Sequence, residues 1–335
     1  MTYNYYSVHD IIKIKTNMEV PIPDYFRNEK ELEPDIEFVQ EDLDVDTPVG
    51  NKAKTRNFFY WEEGQTLLID YQAPFLNAKL VIDNLEGKTK IKFTKAFGKY
   101  GRMSIPIRPI IEMKLIQKGF ALIHSGCLYH NGQCFLFTAT RDTGKTSTVL
   151  SLLDGKDFKF MSDDLTIISK SGSAYSYPEK VDISPHTLTG SVVPPYGNKI
   201  KSRLAKSHFV TLISGRLFNL ELTELREIPH NLVEDKGSIK KVFILVGGSN
   251  KAEVKQIDNA EAAKKIISST IELINPSKEY LLNLYSYVCD FDIVDLIVKE
   301  KKITEMAISD AECFEVSSNR VEKYPEMIKE VIRSE

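Results

Sequence analysis

Apolar and polar positions along this 335-residue chain change rhythm near residue 100. Before it, short β-prone runs alternate with turn chemistry: Ala78–Ile82 (AKLVI) and Lys90–Phe93 (KIKF) flank Asn84–Gly87 (NLEG). Glu37–Asp46 is acidic, and the prolines at 34 and 48 disfavour a long helix there. The pattern predicts a small, mostly β accessory region over residues 1–100. Ile107–Lys118 (IRPIIEMKLIQK) then sets Ile110, Ile111, Leu115 and Ile116 on a helical stripe, with Gly119 as a stop. Phe120–Ile123, Gly126–Tyr129 and Cys134–Phe137 read as strands, and Asn131–Gly132 between the last two is a hairpin signal. The strand ending at Phe137 is therefore expected to pair antiparallel with the one before it.

Further on, Thr146–Leu153 (TSTVLSLL) reads as a helix ended near Asp154–Gly155. Phe158–Met161 (FKFM) and Leu165–Ser169 (LTIIS) read as strands on either side of Ser162–Asp163–Asp164. The chain is irregular from Pro178 through Pro194–Pro195. Lys241–Val246 (KVFILV) has the composition of a strand buried on both faces. Ala260–Ile274 and Leu281–Val298 are helix candidates, followed by a strand around Glu312–Val316 and a helix from Val321. The expected class is α/β, with a mixed-sheet core over residues 101–335.

Composition changes this picture little. Hydrophobic residues at 42% and charged residues at 27% are ordinary for a soluble globular chain. A net charge of −3 supplies no overall basic field, which argues against nucleic acid as a partner. The local basic run Lys199–Lys206 (KIKSRLAK) reads as a solvated face. Cys127, Cys134, Cys289 and Cys313 lack metal-ligand spacing and are expected to be reduced core residues of a cytoplasmic protein. The first ten residues lack the charged-then-apolar order of a secretory signal, and no apolar run reaches the ~20 residues that span a bilayer. No membrane association is expected.

The candidate chemistry begins at Thr138–Thr148 (TATRDTGKTST), directly after an apolar strand. It fits the phosphate-loop pattern G-x-x-x-x-G-K-[ST] except that Ala139 stands at the first glycine. In such a loop, backbone N–H groups and a helix N-terminus cradle phosphates. The nucleotide-binding candidates are thus Ala139, Thr140, Arg141, Asp142, Thr143, Gly144, Lys145, Thr146 and Ser147. Gly144 would permit close backbone approach, Lys145 would reach the β- and γ-phosphates, and the Thr146 hydroxyl would join Mg²⁺. Asp163 and Asp164 lie 18 and 19 residues past Lys145, after a short strand. Phosphoryl transfer uses one carboxylate near Mg²⁺ and another acceptor for the substrate proton. If the strand continues, the two point to opposite faces. His124 (IHSG), 15 residues before Ala139, is a support or proton-handling candidate on the strand expected beside the loop strand.

Together IHSG, HNGQCFLF, TATRDTGKTS and MSDDLTII, within Phe120–Ile168, resemble the catalytic domain of the HPr kinase/phosphorylase family of P-loop kinases, with phosphoenolpyruvate carboxykinase a more distant relative. The resemblance implies an HPr-kinase-like core binding ATP and Mg²⁺. It implies Lys145 and Thr146 on the phosphates and metal, Asp163 as the base, Asp164 at the metal and His124 beside them. The distance from loop to aspartates is one residue longer than in the family. Ser147 replaces a metal-associated glutamate, and the Pro-Gly-Arg-Asn segment of the HPr enzymes is absent.

The function so implied is an ATP-dependent kinase acting on a hydroxyl, either a serine in a peptide or protein or a small molecule. The alternative is a nucleotide-binding regulatory protein with weak or lost catalysis, and the third is a carboxykinase-type lyase. Arg141, Arg203 and Arg216 are the candidates for stabilising transition-state charge. Residues 1–100 and Ser184–Ser214 are the natural specificity elements. A homo-oligomer is compatible with everything above.

Overall fold

The computed structural model describes residues 2–43, 53–54, 58–73, 76–100, 107–155, 157–183, 187, 224–248, 251–273 and 276–334. These form a mixed α/β structure in two compact units, Met1–Ala121 with Ile274–Ile303, and Leu122–Leu273 with Thr304–Glu335. The described helices are α1 (Lys95–Tyr100), α2 (Ile107–Gln117), α3 (Lys145–Asp154), α4 (Asn259–Leu273), α5 (Pro276–Val288), α6 (Ile293–Ala307) and α7 (Tyr324–Arg333). None of them is long and apolar enough to cross a membrane.

The first unit contains β1 (Asn4–Val8), β2 (Ile12–Thr16), β3 (Arg27–Asn28), β4 (Ile36–Gln40), β5 (Ala53–Lys54), β6 (Phe58–Glu63), β7 (Thr66–Ala73), β8 (Leu76–Asp83) and β9 (Thr89–Phe93). They make one sheet in the order β3-β1-β2-β4-β9-β8-β7-β6-β5. The period-2 alternation of IKIKT and TKIKF buries Ile12, Ile14 and Ile91 on one face. The opposite face carries the charges: Glu37 of β4 stands between Lys15 of β2 at 3.6 Å and Lys90 of β9 at 3.5 Å.

This unit does not end at residue 100. Lys114 of α2 is buried and donates to the carbonyls of Leu85 and Gly87, which closes the turn after β8. Tyr285 of α5 donates to the Gln65 carbonyl and accepts from Leu85 N, bringing a segment back to this sheet from two hundred residues downstream. The single helix expected over 281–298 is broken. Asp292 Oδ1 accepts from Val294 N at 2.9 Å and Asp295 N at 3.0 Å, a side-chain cap that starts α6 afresh.

The second unit contains β10 (Phe120–His124), which begins at its boundary, then β11 (Gly126–His130), β12 (Gln133–Ala139), β13 (Lys159–Ser162), β14 (Leu165–Ser169), β15 (Ser173–Tyr175), β16 (Val181–Ile183), β17 (Glu224–Arg226), β18 (Lys236–Gly247), β19 (Glu253–Ile257) and β20 (Glu312–Ser318). The main sheet runs β10-β14-β15-β18-β12-β11-β13, with β20 beside β18 and β19 beside β20. β11 and β12 form the expected antiparallel hairpin, and Asn131 (φ 48°) with Gly132 (φ 85°) supplies the two left-handed residues its tight turn needs. β12, β18 and β20 are parallel neighbours. Their stacked rings Phe137, Phe243 and Phe314 have centroids 5.6 and 5.7 Å apart. A ligand crevice in such sheets lies off the carboxyl ends of the parallel strands, which here are Ala139, Gly247 and Ser318.

One expectation about this sheet fails. His124 is not on the hairpin partner of β12; it ends β10, whose sheet neighbour is β14. Ser125 N turns back on Ile123 O at 2.9 Å, and that bend separates β10 from β11. The basic run Lys199–Lys206, Arg203, Arg216 and nearly all of Ser184–Ser214 lie outside the described residues.

Candidate functional site

The loop after β12 starts from an ordinary strand end. Ala139 pairs with Leu245 of β18 in extended conformation, so this position asks nothing of its backbone that alanine cannot give. Thr140, Arg141 and Asp142 are exposed, and the Thr140 and Thr143 hydroxyls lie 3.0 Å apart. Gly144 is different: its φ is 100°, and a Cβ there would stand 2.5 Å from Val321 Cγ1. Gly144 O then accepts from both the backbone N and the hydroxyl of Thr148, each at 2.9 Å, which begins α3. The helix buries Val149, Leu150, Leu152 and Leu153 in the core cluster that contains Phe137, Phe160 and Phe243. On the neighbouring strand a Cβ at Gly126 would meet Val149 Cγ2 at 2.7 Å and Asp163 O at 3.1 Å, so the missing side chain lets β11 lie close under the site.

Asp163 and Asp164 follow β13 in a bend, outside the regular strand, so the alternation of faces does not separate them. Both carboxylates turn toward the start of α3. Lys145 Nζ donates to Asp163 O and, at 3.0 Å, to Asp164 Oδ1. Thr146 Oγ1 donates to Asp163 Oδ2 at 2.8 Å. His124 Nε2 lies 3.1 Å from Asp164 Oδ1. The Thr146 hydroxyl thus meets Asp163, and the histidine meets Asp164.

The two acids differ electrostatically. Burial lifts the Asp163 carboxyl above the ordinary carboxylate range, against the pull of the Lys145 charge and the Thr146 hydrogen bond. Its Oδ1 is buried and, among the described residues, has no hydrogen-bond partner. Asp164 is about half exposed. Burial also opposes its charge, but the His124 hydrogen bond and the Lys145 ammonium outweigh that and hold it well below the usual range.

Of the residues nominated from sequence, His124, Lys145, Thr146, Asp163 and Asp164 converge. Ser147 is buried on α3, and Arg141 sits on the exposed part of the loop. Sequence reasoning missed Ser269 and Thr270 of α4. Ser269 Oγ lies 2.7 Å from His124 Nδ1 and 2.7 Å from Ala139 O, while Thr270 Oγ1 accepts from His124 N at 3.0 Å. At 145 residues from His124 no spacing rule connects them. The amphipathic pattern of α4 told only that a helix was there.

The oxygen set around the orphaned Asp163 Oδ1, the Thr146 hydroxyl and the two carboxylates, suits a hard divalent cation such as Mg²⁺. No cluster of three or more His, Cys, Asp or Glu able to hold a metal occurs among the described residues. No protein-family model matches the sequence, and no curated protein matches it.

Proposed function

We propose that the second unit is an HPr-kinase-like P-loop core and that the chain is a phosphotransferase moving the γ-phosphoryl group of Mg·ATP to a hydroxyl acceptor. The observation carrying this reading is the convergence of Lys145 and Thr146, at the start of the helix after the loop, on the adjacent acids Asp163 and Asp164. A strand, a loop ending in Gly-Lys-Thr and a helix, with carboxylates at the lysine, is the set of parts phosphoryl transfer draws on.

In this reading the loop amides and Lys145 bind the phosphates, and Lys145 exchanges its contact with Asp164 for them. Thr146 and Asp163 would hold Mg²⁺, which supplies charge neutralisation on the phosphates. Asp164, held by His124, would then orient the acceptor hydroxyl and take its proton once Lys145 has left it for the phosphates. The contacts therefore favour Asp163 on the metal side and Asp164 on the acceptor side. The acceptor is a small molecule or a serine-bearing peptide.

The test is calorimetric binding of Mg·ATP to the parent and to Lys145→Ala, followed by acceptor-dependent ATP consumption in Asp163→Asn and Asp164→Asn. Equal binding by Lys145→Ala would remove the reading. Full turnover in both aspartate variants would remove the roles given to Asp163 and Asp164, whereas nucleotide binding with no acceptor-dependent ATP consumption by the parent would leave binding but not transfer. That second outcome matches a regulatory nucleotide-binding protein, which Ser147 favours because it offers the metal no carboxylate.

A further inference from the structure

We propose that Ser269 is a positioning residue of this site, coupling the onset of the phosphate loop to the imidazole of His124. It deepens the nucleotide-site reading, but its first observable needs no nucleotide.

Ser269 has one hydroxyl proton, and its Oγ lies 2.7 Å from Ala139 O, a group that can only accept. With that proton so committed, Oγ faces His124 Nδ1 at 2.7 Å as an acceptor. The Ser269 carbonyl, 3.2 Å from the same nitrogen, also can only accept. Nδ1 therefore carries hydrogen, and the ring is turned so that Nε2 points at Asp164 Oδ1, 3.1 Å away. The neighbouring Thr270 fixes the other end of the residue: its Oγ1 donates to Ile266 O at 2.9 Å and so receives His124 N–H. Thr138 Oγ1 donates to His124 O at 3.2 Å. Ring, amide and carbonyl of His124 are all tied, two of them by successive residues of α4.

His124 and Ser269 are both buried, so solvent offers no substitute for these bonds. Ala139 O is the last strand carbonyl before the loop. A single hydroxyl thus sets both where the loop departs from the sheet and which way the imidazole faces.

The experiment is nitrogen NMR of protein labelled with ¹⁵N-histidine, with the His124 signals assigned by their loss in His124→Gln. In the parent, His124 Nδ1 should be of the N–H type and its proton slow to exchange. Ser269→Ala, which keeps only the residue's own carbonyl at 3.2 Å as acceptor, should speed exchange of that proton, while Ser269→Thr should keep it slow and Asp164→Asn should keep it slow because the proton is set from the helix side. Mg·ATP should bind Ser269→Ala about tenfold more weakly than the parent, the size of one net hydrogen bond. Ser269→Thr should bind close to the parent. An Nδ1 lacking hydrogen in the parent overturns the proposal even if no variant folds. So does an unchanged exchange rate of Nδ1–H in folded Ser269→Ala. Unweakened Mg·ATP binding by Ser269→Ala, where Lys145→Ala has lost binding, overturns the positioning role. If Lys145→Ala binds normally, it is the nucleotide reading that fails, and the proton placement is judged on the NMR alone.

Discussion

The two units use the same charged residue types in opposite ways. On the sheet of the first unit, Lys15, Glu37 and Lys90 form a ladder across three strands, with both flanking separations near the limit of an ion pair. Such pairs keep much of their hydration and contribute little to stability. In the second unit, Lys145 is 8% exposed and Asp163 is 7% exposed. Burying groups of this kind costs free energy that only close partners offset. Lys145 has those partners; Asp163 retains an oxygen without one among the described residues. A decorated surface tolerates change, whereas a buried polar cluster depends on every partner it has.

The largest expected break in this contrast is Lys145→Ala. Mg·ATP affinity should fall at least about 100-fold, ~3 kcal/mol for a lost charge-assisted contact, as titration calorimetry would register. Next is Gly144→Ala, which combines a left-handed backbone with the approach of Val321. Thermal and urea unfolding should show a loss of about 2 kcal/mol. Adding Val321→Ala should restore the steric part in a double-mutant cycle but not the backbone part.

The adjacent aspartates sharpen the contrast by sign. Asp163 has a raised folded-state pKa, so its ionised form penalises folding; the penalty is full above that value and disappears as pH falls below the ordinary carboxylate range. Asp164 has a lowered one, so it adds stability above the ordinary range that is lost as pH drops through its lowered value. At neutral pH Asp163→Asn should raise the thermal midpoint and Asp164→Asn should lower it. Shifts of the same sign would contradict the assigned environments. The smallest effect belongs to the first unit: Glu37→Ala should change unfolding free energy by less than ~1 kcal/mol and leave nucleotide affinity alone.

What the sequence made legible is what local patterns encode. The hairpin through Asn131–Gly132, the strand at Leu165–Ser169 and the helix starting at Lys145 all announce themselves within ten residues. That an acid of the Asp163–Asp164 pair would meet Lys145 was readable from the spacing, but that both do depends on the bend after β13. Three other features were not readable. The bend at Ser125 reassigned His124 to another strand through one backbone hydrogen bond. The Asp292 cap split a helix whose apolar pattern looked continuous. The Ser269 contact depends on the rotation of α4 about its axis against β12, which tertiary packing decides.

The interleaved layout of the two units has a consequence for synthesis. The first sheet's Gln65 and Leu85 await Tyr285, and β18 in the second unit awaits β20, which spans Glu312–Ser318. Neither unit can be completed as a nascent chain emerges until its own late segment, Ile274–Ile303 or Thr304–Glu335, has left the ribosome. A chain released at residue 270 would leave β18 with a bare parallel edge and the first unit without its returning helices, both of them surfaces that invite aggregation or chaperone capture.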